Sequence, residues 1–269
     1  MSMTCHYDKP LFVRKGVLPY RDSIGPKAEY AVFSISDSPD TAVFYPEPPP
    51  PRSFRTPEPP FESWPVSGFI AKKLRSPVQN LETNPDALMI CSFRIPDWNS
   101  GLTPWPAPSP FGGPEFAGMA GETREFLEQR LIPEAEGRNS TVRKRYLAGY
   151  SLGGLFAIWF LMESSVFSGA AAISPSLWYP GFRDCILPRA GNLTGDIYLS
   201  LGTGECRSAS MILNSCSTNC AAFFRAARNR PGFRTVFERT PGGHFNHPEE
   251  RLYRGISFLL ATGSSRNHS

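Results

Sequence analysis

RYLAGYSLGGLFAIW, residues 145–159, changes its periodicity halfway along. Arg145 to Tyr150 is a short, mostly apolar run that reads as a buried strand, and Leu152 to Met162 is apolar over enough residues to be a helix. The turn between them, Gly149-Tyr150-Ser151-Leu152-Gly153, has the G-x-S-x-G spacing of a nucleophile elbow. Each position has a physical reason. A serine on a sharp strand-to-helix turn projects its hydroxyl beyond the sheet. Side chains two positions to either side would crowd that turn, hence the glycines. The following helix aims free N–H groups and the positive end of its dipole at the hydroxyl, which places the Leu152 N–H to hold an oxyanion. Gly154 and Ala157 are small enough to let the helix lie close on the sheet.

Outward from this turn the chain keeps alternating. ALMICSF at 87–93 is a continuous apolar run ended by Pro96, and Gly169 to Ile173 and Ile197 to Leu201 are two more. Arg234 to Arg239 alternates as a strand. Helical patterns occupy 116–131, Cys216 to Arg228 and Arg251 to Leu260. Nearer the start, Tyr30 to Ile35 and Thr41 to Tyr45 read as short strands, and Trp64 to Leu74 fits a short helix. The order from residue 87 onward predicts an α/β fold with a mostly parallel central sheet and helices on both faces. Functional groups in such a sheet sit just past the carboxyl ends of strands.

A length of 269 residues fits one α/β domain spanning 1–269. Eight of the 28 prolines fall within 46–60, which excludes helix and central strand there and reads as a long extended loop. The polar tail 263–269 is expected to be disordered. The net charge of +4 comes with no concentrated basic stripe beyond Arg143, Lys144 and Arg145, which argues against nucleic acid as a partner. No run reaches the ~18 apolar residues of a membrane helix. The opening MSMTCHYDKP lacks the apolar core of a signal peptide, so a soluble, cytoplasmic protein with reduced thiols is expected. Cys206, Cys216 and Cys220 lack the paired spacing and fourth ligand of a zinc site. Neither a metal nor an organic cofactor is expected.

A serine needs an adjacent base, and four histidines are available: His6, His244, His247 and His268. The chain order Ser, then acid, then His removes His6, and His268 lies in the tail. In PGGHFNHPEE (241–250), His244 follows two glycines that allow a tight loop, whereas His247 precedes Pro248 at the start of the last helix. His244 is the better base. Among the acids between Ser151 and His244, Glu205 follows the strand IYLSLG (197–202) at its carboxyl end and is best placed to orient an imidazole. Glu163, Asp184, Asp196 and Glu238 lie on a helix, in a loop, at the opposite sheet edge and within a strand, and a Ser-His dyad working without an acid is the alternative.

At these residues the chain resembles the esterase D and enterochelin-esterase-like branch of the α/β-hydrolase superfamily. The matching pieces are DWNSGLTPWPAP (97–108), RYLAGYSLGGLFAIW (145–159), SPSLWYPGF (174–182), LSLGTGE (199–205) and PGGHF (241–245), and the likeness covers about residues 87–260. It implies Ser151 and His244 as catalytic residues and points to Glu205. Similar proteins hydrolyse carboxylic esters, among them siderophore lactones and acyl-glutathione or acyl-sugar esters, and the fold also hosts acyl transferases. The chain departs from the pattern at Gly101, where relatives usually have an acidic residue, and in AGMAGETREF (117–126), where they tend to read GGADEY. The strand that normally carries the second oxyanion donor is followed by Pro46, which has no N–H. The candidate donors are then Glu47 or groups at Trp98 and Asn99.

The expected activity is serine-dependent hydrolysis of a small-molecule carboxylic ester through an acyl-enzyme. Trp98, Trp105, Phe111 and Trp178 are candidates for the substrate pocket or, equally, for core packing. Two alternatives remain at this level: an acyl transferase using the same acyl-enzyme, and a binding protein on a degraded hydrolase fold. A long distance between Ser151 and His244 would favour the last. The sequence leaves the oligomeric state open.

Overall fold

In the computed structural model of this chain, residues 12–21, 25–34, 39–48, 69–70, 73, 88–138, 140–205 and 211–261 are described. Eight strands pair into one sheet. They are β1 (Phe12–Pro19), β2 (Lys27–Ser34), β3 (Thr41–Pro46), β4 (Leu88–Arg94), β7 (Lys144–Tyr150), β8 (Gly169–Ile173), β9 (Asp196–Gly202) and β10 (Thr235–Thr240). Two short strands, β5 (Pro106–Ala107) and β6 (Phe116–Ala117), pair apart from it. The sheet order is β1-β2-β4-β3-β7-β8-β9-β10. From β4 to β10 in this order every neighbouring pair is parallel, and at the other edge only β2 is reversed, pairing antiparallel with both β1 and β4. This is the mostly parallel α/β architecture that the alternation of apolar strands and helices predicts.

Alternate residues of each central strand feed two cores. Leu147, Ala170, Ala172, Leu199 and Leu201 face one side. There they meet α2 (residues 120–136), α3 (Leu152–Glu163) and α4 (Met211–Ala227). Tyr146, Ala148, Tyr150, Ala171, Ile173 and Tyr198 face the other, covered by Leu252, Ile256 and Leu259 of α5 (Pro248–Leu260). Both faces are apolar, which is why these strands read as continuous apolar runs rather than alternating ones. α3 is apolar around its whole circumference, backed by β7 and β8 and buried along most of its length in the same cluster as α2.

The structure departs from the sequence reading most clearly at β1, at the helix expected over 116–131 and at the start of α4, while β2 and α5 begin three residues earlier than expected, at Lys27 and Pro248. β1 was not anticipated, because Arg14 and Lys15 interrupt its apolar pattern. It is an edge strand, where basic residues discourage further pairing. The helix expected over 116–131 begins only at Ala120 and runs to Glu136, and residues 116–117 belong to β6. It passes Pro133 by way of a π turn at Leu127–Leu131, in which the Ile132 N–H reaches back to the Leu127 carbonyl. Proline cannot supply the next intrahelical donor, and the wider turn accommodates it. α4 starts at Met211, five residues before the expected Cys216. Most of 46–60, the tail 263–269 and most of 64–74 lie outside the described residues.

Among the described residues, no helix is long and apolar enough to cross a membrane. None of their His, Cys, Asp and Glu side chains gather in threes as a metal site. Arg145, from the basic cluster, is held by Glu136 in a two-point ion pair.

Phe44 sits at the centre of the sheet, fully buried, with its ring edge-on to Phe167 at 5.8 Å, and Phe167 meets Phe160 at 4.9 Å. Phe44→Ala should cost about 3–5 kcal/mol in urea unfolding. A loss under about 1 kcal/mol would show that this aromatic chain does not carry the core.

Candidate active site

β7 ends at Tyr150 and α3 begins at Leu152, so Ser151 alone makes the turn. Its backbone lies at φ 58° and ψ −119°, a region that costs a non-glycine residue about 1–3 kcal/mol. Four hydrogen bonds hold it there. The Ser151 N–H donates to the Ile173 carbonyl at 3.0 Å. Its own carbonyl accepts from the N–H groups of Gly154, Leu155 and Ser176 at 3.0, 3.2 and 3.0 Å. The two motif glycines are not equally constrained. A Cβ on Gly149 would lie 2.1 Å from the Gly153 carbonyl oxygen, which backbone cannot relieve. One on Gly153 would meet the Pro46 ring at 3.2 Å and the Trp98 ring at 3.5 Å, a tight but softer contact. The Leu152 N–H, first in α3, has no acceptor within the helix and is available to a ligand oxygen.

Glu205 and His244 arrive from neighbouring loops. β9 and β10 are parallel, so the segments after them leave the same edge side by side. Thr203 N–H donates to the Thr240 carbonyl and Gly204 N–H to the Gly242 carbonyl, both at 2.8 Å. The approach is close enough that a Cβ on Gly202 would fall 2.5 Å from the Gly242 carbonyl oxygen. The Asn246 side chain accepts from the Gly243 N–H at 2.7 Å and fixes the second loop.

The outcome is a continuous hydrogen-bonded chain. His244 Nε2 lies 3.2 Å from Ser151 Oγ, and His244 Nδ1 lies 2.8 Å from Glu205 Oε2. Glu205 Oε1 accepts from the Gly202 N–H at 2.6 Å and the Ser174 hydroxyl at 2.5 Å, with Arg251 Nη2 at 3.2 Å. Burial pushes the Glu205 carboxyl up, but the hydrogen bonds from His244, Ser174 and the Gly202 N–H outweigh it and bring it down to about 2. It is therefore a carboxylate at any working pH. The Tyr150 ring packs beside the imidazole at 5.3 Å, and Phe245 lies against it edge-on, 87% exposed. His247 is exposed at the start of α5 in a left-handed conformation.

The remaining candidates divide. Trp98, in the short helix α1 (Trp98–Gly101), reaches the α3 N-terminus beside Gly153. Asn99 is exposed, and its N–H caps on Asp97 at 3.0 Å. Glu47 is corrected: its N–H donates to the Phe93 carbonyl at 2.8 Å. That bond extends the β3–β4 ladder by one residue, so this N–H is not free for an oxyanion. Trp105 and Trp178 join Phe111, Phe116 and Tyr179 in an aromatic cluster. Trp105 is further tied by its indole N–H to the Pro180 carbonyl at 2.8 Å. At Gly101 a side chain would displace its neighbours, since a Cβ would sit 2.6 Å from Ile95 Cδ1, 3.1 Å from the Tyr20 hydroxyl and 3.2 Å from Thr123 Oγ1.

Sequence reasoning missed three polar residues. Ser176 Oγ is 3.3 Å from Ser151 Oγ. Ser174 and Arg251 both reach Glu205. Arg251 had a signal: it falls on the buried stripe of α5 with Gly255 and Leu259, where a charge is out of place.

A carboxyl held near 2 against an ordinary 4.5 stabilises the fold above the ordinary value, and that contribution is lost as pH falls from about 4.5 to about 2. Chemical denaturation at pH 5 and pH 2.5 should show a drop in which this group's share is on the order of 2 kcal/mol. Glu205→Gln should flatten that share. An equal drop in both proteins would contradict the assigned interactions.

Residues 103–246 match the Esterase family, whose description is "Putative esterase". No curated protein matches the chain in sequence. Among solved structures, the siderophore hydrolase EstB from Aspergillus nidulans is 16% identical with a TM-score of 0.69, over 99% of each chain. An IroE-like serine hydrolase from Shewanella oneidensis is 18% identical with a TM-score of 0.71, over 93% of this chain and 80% of that one. The siderophore hydrolase EstA from Aspergillus nidulans is 16% identical with a TM-score of 0.70, over 94% and 95%.

Proposed function

This chain belongs to the Esterase family and is a carboxylic ester hydrolase, and we propose that it cleaves a small-molecule ester through a covalent acyl-enzyme on Ser151. The observation that carries this reading is the unbroken chain from Ser151 Oγ through His244 to Glu205, at 3.2 and 2.8 Å. His244 Nε2 takes the hydroxyl proton as Ser151 Oγ attacks the ester carbonyl carbon. Glu205 stays ionised, fixes the ring through Nδ1–H and stabilises the imidazolium. The Leu152 N–H holds the oxygen that becomes negative, in a site where a preorganised donor is worth most. With the Glu47 and Asn99 N–H groups committed elsewhere, a second donor comes from a side chain at Trp98 or Asn99. The tetrahedral species collapses, the C–O bond to the alcohol breaks, and the imidazolium returns its proton to the leaving oxygen. Water, deprotonated by the same imidazole, then releases the acid and restores Ser151.

Elbow strain supports the same reading, because backbone held in a disfavoured region clusters at sites of function. The 3.2 Å approach of His244 to Ser151 argues against a purely binding role. Siderophore-type esters belong in the first substrate panel, since EstA and EstB are siderophore hydrolases.

Short acyl p-nitrophenyl esters test the mechanism. Ser151→Ala and His244→Ala should each lower kcat by about 10⁴-fold or more with KM little changed. Activity within about tenfold of the wild type in Ser151→Ala would remove Ser151 from the chemistry.

A further inference from the structure

Behind Glu205, on the side away from His244, lies a buried arginine. The Arg251 side chain is only 3% exposed. Its Nη2 donates to the Ser174 hydroxyl oxygen and approaches Glu205 Oε1 at 3.2 Å. Its guanidinium lies 5.8 Å from the centroid of the Tyr150 ring. Nε and Nη1 have no hydrogen-bond partner among the described residues. Burying a charge with three of its five N–H donors unpaired among the described residues is a poor way to stabilise a fold. An apolar side chain of similar volume on the stripe of α5 would do as well or better.

Ser174 is equally unusual. It stands at φ 43°, left-handed backbone for a residue with a Cβ, and is pinned there by its N–H to the Ser200 carbonyl at 2.8 Å. That conformation turns its hydroxyl between the arginine and the carboxylate. Three donors thus converge on Glu205 Oε1: the Gly202 N–H, the Ser174 hydroxyl and the Arg251 guanidinium. With one oxygen so held, the carboxylate cannot rotate, and Oε2 stays aimed at His244 Nδ1.

We propose that Arg251 and Ser174 are positioning residues, a clamp that fixes the Glu205 carboxylate so that the imidazole keeps its line to Ser151. This rests on the acyl-enzyme reading and deepens it. Neither residue touches the reacting atoms. Both act through Glu205, and the expected signature is loss of turnover without loss of fold or of substrate affinity.

The test compares the wild type with Ser151→Ala, Arg251→Met, Arg251→Lys and Ser174→Ala. It reads the rate of labelling by a fluorophosphonate probe, kcat and KM for a short p-nitrophenyl ester, and thermal unfolding. Labelling of the wild type that disappears in Ser151→Ala establishes the reading beneath the clamp, and an unlabelled wild type overturns both. Arg251→Met should unfold at or above the wild-type temperature with KM unchanged, while kcat and labelling rate fall together by about 10- to 100-fold. Arg251→Lys, which keeps a cationic donor, should recover to within about fivefold of the wild type. A folded Arg251→Met protein that labels at the wild-type rate overturns the clamp, as does a lysine variant no better than the methionine one. Should Arg251→Met fail to fold, Ser174→Ala decides. It removes one hydroxyl, and a fall of about tenfold supports the clamp, whereas an unchanged labelling rate overturns it.

Discussion

The site depends on holding Ser151 at φ 58°, left-handed backbone for a residue with a Cβ. The turn exists because β7 is pinned between β3 and β8, because α3 lies flat on that sheet, and because the carbonyl of Ser151 is shared by three N–H donors. Gly149 must lack a side chain for the helix to come this close. Remove the packing of α3 on the sheet and the backbone would relax to an ordinary region, taking the hydroxyl away from His244. The large apolar core is therefore a condition of the site as well as of stability, and the all-round apolar character of α3 follows from it.

A second constraint acts on the other two groups. Glu205 and His244 come from loops that follow adjacent parallel strands, so their distance is set by strand spacing and by the lacing of Thr203 to Thr240 and Gly204 to Gly242. The carboxylate is nearly enclosed, yet it remains charged because His244, Ser174 and the Gly202 N–H hydrogen-bond to its oxygens. This gives the imidazole a fixed tautomer and direction. Where the carboxylate's own direction comes from is then a question of what stands behind it, and that is Ser174 and Arg251.

Much of this was legible in the sequence, for identifiable reasons. Ser151 could be read because a period change and a five-residue spacing coincide at it. His244 could be read because chain order left two histidines and only one follows a pair of glycines. Glu205 required placing a strand end correctly, which the apolar run IYLSLG allows. The parallel core was readable because strands buried on both faces are uninterrupted. β1 was not, because an edge strand tolerates the charges that hide its pattern. The π turn that carries α2 past Pro133 is a local rearrangement that periodicity does not register. Glu47 failed as a donor because a ladder bond to Phe93, invisible in the sequence, takes its N–H. Arg251 and Ser174 contact Glu205 across 46 and 31 residues. Only the buried stripe of α5 hinted at the arginine.

The central claim is that turnover passes through an ester on Ser151. Acid-quenching the wild-type protein during its first turnover of a p-nitrophenyl ester, followed by intact-mass and peptide analysis, tests it directly. The account predicts a mass gain equal to the acyl group, located on the peptide that contains Ser151. Rapid turnover with no acyl adduct, or with the adduct on another residue, would contradict it.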